Sequence, residues 1–218
     1  MKIEKVAISV SNFEETVRFY EETLQFPCLS YAADRASFQI GASVLELHRD
    51  EEHRHYYHFA FNIPRNLFRK AKEWLAGKVE LLTEDGEDEV DFSDRTQANA
   101  CYFEDPAGNI VEYIARRETS PASARHTFSA DQVLSISEIG LTTDEIAEYA
   151  KQMQAISIPL RDDEELSFDT YLNFMGEYED GAFILLGPVG RRWLFSTKVA
   201  VAGPVAIHTD KGVVSNRS

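Results

Sequence analysis

Two glutamates stand where a strand should be apolar. In SVLELHR (43–49), Glu46 shares one face of a period-two pattern with Val44 and His48, while Leu45 and Leu47 take the other. In GNIVEYIA (108–115), Glu112 lies between Ile110 and Ile114 and opposite Val111 and Tyr113. A carboxylate in such a setting costs free energy unless it is paired, solvated or bound to a cation. Each is therefore a candidate ligand or acid–base group, with an exposed sheet face as the plain alternative. Other strands supply different chemistry at one shared point of a common pattern. KVAISV (5–10) carries Lys5 there, HFAFNI (58–63) carries His58, and ISEIGLTT (136–143) carries Glu138. An imidazole nitrogen can ligate a cation, whereas a protonated lysine repels one.

The elements that must position these groups repeat. Residues 3–10 alternate with Val6, Ile8 and Val10 on the apolar face. Asn12 then predicts an N-cap with Glu15 as its reciprocal partner. Phe13, Val17, Tyr20 and Leu24 follow at helical spacing until Pro27. Strands at 29–33, 36–40 and 43–49, turning at Gly41, complete a βαβββ unit. A second unit spans 56–116: a strand at 58–63, a helix at 65–76 with a left-handed cap at Gly77, and strands at 79–82, 98–103 and 109–115. Residues 117–130 read as a linker. A divergent third unit occupies 131–210, with a strand at 136–143, a helix at 144–153, strands at 172–178 and 181–187, and further strands at 192–197 and 204–209. A frayed tail, 211–218, follows. Units 1–50 and 56–116 are expected to form one domain. The third, left with an open sheet edge, is expected to pair with a second chain as a homodimer or to lie over the first two as a lid.

Composition narrows the function. The chain has 218 residues, 44% hydrophobic and 11% aromatic, with a net charge of −15, which suits a soluble globular protein and disfavours a nucleic-acid partner. No apolar run approaches the roughly 20 residues a membrane helix needs, and MKIEKVAISV has no secretory h-region. Cys28 and Cys101 form neither a disulfide framework nor a zinc motif, so a cytoplasmic setting is expected. Phosphate-loop, dinucleotide and nucleophile-elbow motifs are absent. His53, His55 and His126 read as solvated, and Tyr102, Tyr113, Trp74 and Trp193 as packing residues. GPVGRRW (187–193) reads as a surface turn. His208 and Glu138 invite pairing as an additional site.

FEDPAGNIVEYI (103–114) and KVAISVSNFEETVRFYEETLQF (5–26) resemble the last hairpin and the strand–cap–helix of the vicinal oxygen chelate superfamily, which includes glyoxalase I, extradiol dioxygenases and bleomycin-resistance proteins. The resemblance implies an α+β fold of paired βαβββ modules curled into a cup. It also implies a divalent metal held by the first and last strands of each unit, at Lys5, Glu46, His58 and Glu112. Glu46, His58 and Glu112 are competent ligands, suited to Mn²⁺, Fe²⁺, Ni²⁺ or Zn²⁺ without discrimination. Lys5 departs from the pattern, and two readings stay open. In one, the metal binds adjacent oxygens of a small substrate, Lys5 stabilises the developing negative charge or acts as acid or base, and Glu46 takes a proton. In the other, Lys5 replaces the cation and the cup binds a small molecule without transforming it, as bleomycin-resistance proteins do.

Overall fold

Alternating apolar strands build two sheets, and the second and third units meet in one of them. The computed structural model describes residues 1–216 apart from Asp94 and Thr170, and of Asp163 it describes the backbone only. Asp94, which ends the acidic stretch TEDGEDEVDFSD (83–94), and the last two residues of the expected tail thus lie outside the described residues. The first unit comprises β1 (Ile3–Val10), α1 (Phe13–Arg18, continuing as a π-turn over Phe19–Thr23), β2 (Cys28–Tyr31), β3 (Arg35–Ile40) and β4 (Ser43–Arg49). The second has β5 (His58–Asn62), α2 (Phe68–Ala76), β6 (Val90–Phe92), β7 (Ala98–Glu104) and β8 (Ile110–Arg116). The third has β9 (Ser135–Thr142), α3 (Ile146–Ala155), β10 (Asn173–Met175) and β11 (Phe183–Gly187), and the chain ends with β12 (Val205–Thr209) and β13 (Gly212–Asn216).

In every unit the first strand lies parallel to the last: β1 with β4, β5 with β8, and β9 with β11. The second and third units then join through their first strands. One sheet runs β13-β12-β1-β4-β3-β2 and the other β10-β11-β9-β5-β8-β7-β6. The expected pairing of the first two units gives way to a seam between β5 and β9, antiparallel, with Ala60 opposite Glu138. The open edge of β1 is covered within the chain by β12, with Lys5 opposite His208. The third unit therefore supplies half of the cup, rather than a lid over a finished one.

The sheets share one core. Val6, Ile8, Leu45 and Leu47 from the first meet Phe59, Phe61, Val111 and Tyr113 from the second. Each such side chain stabilises the fold by about 1.5–3 kcal/mol. Strand alternation does the rest: residues between these point away from the shared core, so Lys5 and Glu46 belong to the outer face of one sheet, and His58 and Glu112 to the far face of the other. Gly41 ties the sheets together. Its φ is +57°, and a Cβ there would collide with the carbonyls of Val133 and Leu134 at the start of β9.

Several local expectations change. Asn12 makes no side-chain cap; its amide donates instead to the Pro106 carbonyl (2.8 Å), tying the first unit to the β7–β8 turn. Gly77 stays right-handed at φ −73°. The 79–82 strand reduces to a single bridge, Leu81 with Phe103, and 192–197 to a turn closed by the bridge of Arg192 with Val199. Residues 212–216 of the expected tail are strand β13. Among the described residues no helix is long and apolar enough to cross a membrane.

Candidate functional site

β5, β8 and β9 bring His58, Glu112 and Glu138 together. Their ligating atoms all lie within 4.8 Å of one another, and the residues are 5%, 2% and 4% exposed. His58 Nε2 is 3.4 Å from Glu112 Oε2 and 3.8 Å from Glu138 Oε2. The register explains the convergence. His58 and Glu138 hold the same place in their units, and Glu112 pairs with Ala60, two residues beyond His58. The corresponding place in the third unit, opposite Gly140, is Leu185. The cup thus has three ligating positions and one apolar one.

The neighbours of the triad fix its chemistry. His58 Nδ1 donates to the Ile110 carbonyl (3.1 Å), which leaves Nε2 turned toward the carboxylates. Arg116, itself buried, pairs with Glu138. Among the described residues, Glu112 Oε1 is buried with no hydrogen-bond partner. Burial pushes the Glu112 carboxyl above its ordinary range, and the Glu138 charge adds to this against the opposing bond from His58. Burial pushes Glu138 the same way, but Arg116 and His58 outweigh it and hold that carboxyl low. Burial would lower His58, yet its bonds to Glu112 and Glu138 raise it to about 9. These groups leave a place for one further positive charge, either the proton of His58 or a bound ion. With a neutral imidazole, two buried carboxylates face an unprotonated nitrogen, and Arg116 balances only one of them. One imidazole and two carboxylates form a donor set that fits a divalent ion.

Above the triad lies a cavity of about 860 Å³ whose wall includes Tyr102, Leu185 and Trp193. The segment after β11 covers it. Trp193 stacks near His58 with ring centroids 5.0 Å apart, and Phe195 lies on Tyr102 at 4.8 Å. Gly140 makes room for this cover, since a Cβ there would come within 3.0 Å of the Trp193 ring. The cover is pinned by Lys198, which donates to Glu104 Oε2 and the Gly108 carbonyl, both at 2.7 Å. Tyr102 and Trp193, expected as packing residues, and Arg191 of the expected surface turn all face this cavity. Tyr113 stays in the shared core, and Trp74 packs against it beside Phe128.

The remaining candidates lie elsewhere. Glu46 accepts from His48 Nε2 (2.8 Å) and Lys5 Nζ (3.5 Å) on the outer face of the first sheet. His208 sits opposite Lys5 on that face, so it does not meet Glu138. His53 and His55 group with Asp50, and of these His53 is exposed while His55 is half-buried against Tyr57. His126 is exposed. The sequence places Glu138 at the equivalent of His58 but does not join it to the site. Arg116 could have been noticed as a charge ending the apolar run of β8.

The family model of the glyoxalase/bleomycin resistance protein/dioxygenase superfamily matches residues 2–113, and that of toxoflavin-degrading enzyme matches residues 136–191. A virulence protein of Salmonella typhimurium is 34% identical over 50 residues, which is 23% of this chain and 35% of that protein, so the match spans about a third of the relative. An integron cassette protein from the mobile metagenome of Halifax Harbour Sewage Outfall is 27% identical, covering 52% of this chain and 97% of that one at a TM-score of 0.46. A lactoylglutathione lyase from Agrobacterium tumefaciens is 18% identical, covering 52% of this chain and 92% of that one at a TM-score of 0.43. The superfamily match spans half of the chain and coincides with the first two strand–helix–strand units: this chain belongs to the glyoxalase/bleomycin resistance protein/dioxygenase superfamily.

Proposed function

We propose that the chain is a metal-dependent enzyme that transforms a small oxygenated ring compound in the cup between its second and third units. The observation that carries this is the convergence of His58, Glu112 and Glu138, buried, at one cavity. The cavity's size falls within the roughly 300–1,000 Å³ usual for small-molecule sites. His58, Glu112 and Glu138 would hold the ion, in place of the set with Glu46 that the resemblance implies. A divalent ion bound there supplies Lewis acidity, drawing negative charge onto substrate oxygens.

The chain's own groups do the rest. The Ile110 carbonyl holds the His58 ring in one orientation. Arg116 keeps Glu138 ionised. Glu112, with an oxygen that meets no partner among the described residues, is the group placed to take a proton from the substrate. Tyr102 stays protonated, because burial and the charges of Glu112 and Glu138 hold its phenol well above its usual value, so it acts as a donor. Trp193 and Phe195 exclude water from the wall.

A second reading, a metal-free binding protein, is favoured by the raised His58: an imidazolium satisfies both carboxylates without a metal. The two separate by assay. Toxoflavin, named in the family matched by residues 136–191, is the first compound to test, with Mn²⁺, Fe²⁺, Ni²⁺ and Zn²⁺ in turn. The enzyme reading expects consumption that needs metal and is lost in Glu112→Gln. Tight binding of the compound by metal-free protein without turnover under any metal would favour the binder.

A further inference from the structure

The cavity wall carries a second polar group that the protein leaves short of partners. Arg161 lies between α3 and β10, where the other units place an additional strand. It lines the same cavity as the triad and is 7% exposed. Its Nη2 donates to Glu164 Oε1 (2.9 Å), while among the described residues Nε and Nη1 are buried with no hydrogen-bond partner. Glu164 is itself shared, accepting from Arg95 Nη1 at 2.9 Å, so one carboxylate serves two guanidinium groups. The guanidinium of Arg161 is held over Phe174 with its Cζ 4.2 Å from the ring centroid. It also borders Phe183, whose ring has Arg116 at 5.1 Å. Phe183 is the ladder partner of Glu138, so Arg161 stands one ring away from the charged floor of the cup.

The charges around the cup leave room for an anion. Arg95, Arg161 and Arg191 line it together with Glu112, Glu138, Glu164 and Glu165, and Arg116 pairs with Glu138 behind the wall. Among the described residues these four positive and four negative side chains cancel, so the cup has no excess negative charge to repel an anion. A guanidinium whose donors are buried and unmet costs stability until an acceptor arrives, and a planar fork favours a carboxylate or similarly charged oxygen. Tyr102 and Trp193 at the wall suit a flat ring.

We propose that the cup favours ring compounds that carry an anionic group and that Arg161 binds that group, as a specificity-determining residue. This rests on the cavity being the substrate site; it does not require the metal to be present. The experiment therefore uses chelator-treated, metal-free full-length protein. Benzoate and uncharged benzyl alcohol are titrated calorimetrically into the wild type, Arg161→Met and Arg161→Lys, and the thermal midpoint of each free protein is recorded. Benzoate should bind about tenfold or more tightly than benzyl alcohol, the size expected of one charge-assisted contact. Arg161→Met should erase that preference while leaving benzyl alcohol unchanged, and Arg161→Lys should keep part of it. Arg161→Met should also melt at a higher temperature than the wild type, since it removes two buried donors that meet no acceptor, whereas loss of a merely structural arginine would lower the midpoint. Equal binding of both probes by the wild type, a benzoate preference that survives in Arg161→Met, or a lower midpoint in that variant would each overturn the assignment. Metal content is measured on separate, untreated samples. A chain that passes here yet holds no metal would keep Arg161 as the anion clamp and lose the Lewis-acid reading alone.

Discussion

The cup of the second sheet and the outer face of the first are made from the same unit, and they leave their carboxylates in opposite states. On the outer face, Glu46 receives Lys5 and His48, both partly open to water, and its carboxyl is held below the usual range because those bonds outweigh burial. That face satisfies itself. In the cup, Glu112 and Glu138 meet one imidazole and one guanidinium with almost no water, and an oxygen of Glu112 has no partner. The equivalent first-strand position holds lysine on one side and histidine on the other. The third unit deepens the contrast by adding Glu138 across the seam, whereas β12 brings His208 to Lys5. The difference lies in burial and in what the neighbouring edge contributes, since the unit itself is common to both.

The largest expected effect breaks the contrast directly. His58→Ala or Glu112→Ala should weaken metal binding more than about a hundredfold by competition against a chromogenic chelator, beyond the 10–100-fold typical of losing an outer partner. Metal held as tightly by either variant would move the site elsewhere. The pH dependence is a sharper instrument. His58 rises from 6.5 to about 9 in the folded chain. In metal-free protein its contribution is fully present below pH 6.5 and is lost as pH climbs through 9, by up to roughly 3 kcal/mol in urea unfolding. Metal binding runs the other way, because the proton must leave Nε2. Affinity should therefore rise up to about tenfold per pH unit until near pH 9. A flat profile would mean that His58 is not a ligand.

Smaller effects test how the two regions are joined. Gly41→Ala should cost about 1–3 kcal/mol in stability from its left-handed backbone alone, with more from the Leu134 carbonyl, and it should loosen the start of β9. Hydrogen exchange at β9 would report this, and unchanged protection there would show that the sheets are coupled by other contacts. Smallest of all, Lys5→Met combined with Glu46→Gln should change stability by less than about 1 kcal/mol, as expected for a pair whose lysine side chain is 33% exposed. That double variant should leave metal content untouched.

Much of this is legible in the sequence because it is local. Alternation places Val6 and Phe59 inward and Lys5 and His58 on the opposite faces of their strands, and the repeated order of elements marks where each unit begins. The polar interruption of β8 singles out Glu112. What the sequence does not disclose is which first strand meets which. β1, β5 and β9 carry the same apolar alternation, so the choice of partner rests on long-range closure and on particular contacts such as Gly41 against Leu134. Hence Glu46 reads as a ligand beside His58, although the folded chain puts a shared core between them, while Glu138 reads as a member of another site. Arg161 was hidden for a different reason: it sits in RDDEELSFD (161–169), an acidic stretch whose composition suggests a solvated loop, and in the fold it lies against the rings of Phe174 and Phe183.

Anomalous diffraction from crystals grown with Mn²⁺, recorded on both sides of the manganese edge, tests the central claim most directly. The account predicts one strong peak among His58 Nε2, Glu112 and Glu138, with nothing beside Glu46 and His48. A peak at Glu46, or an empty triad in crystals of protein saturated with Mn²⁺, would contradict it.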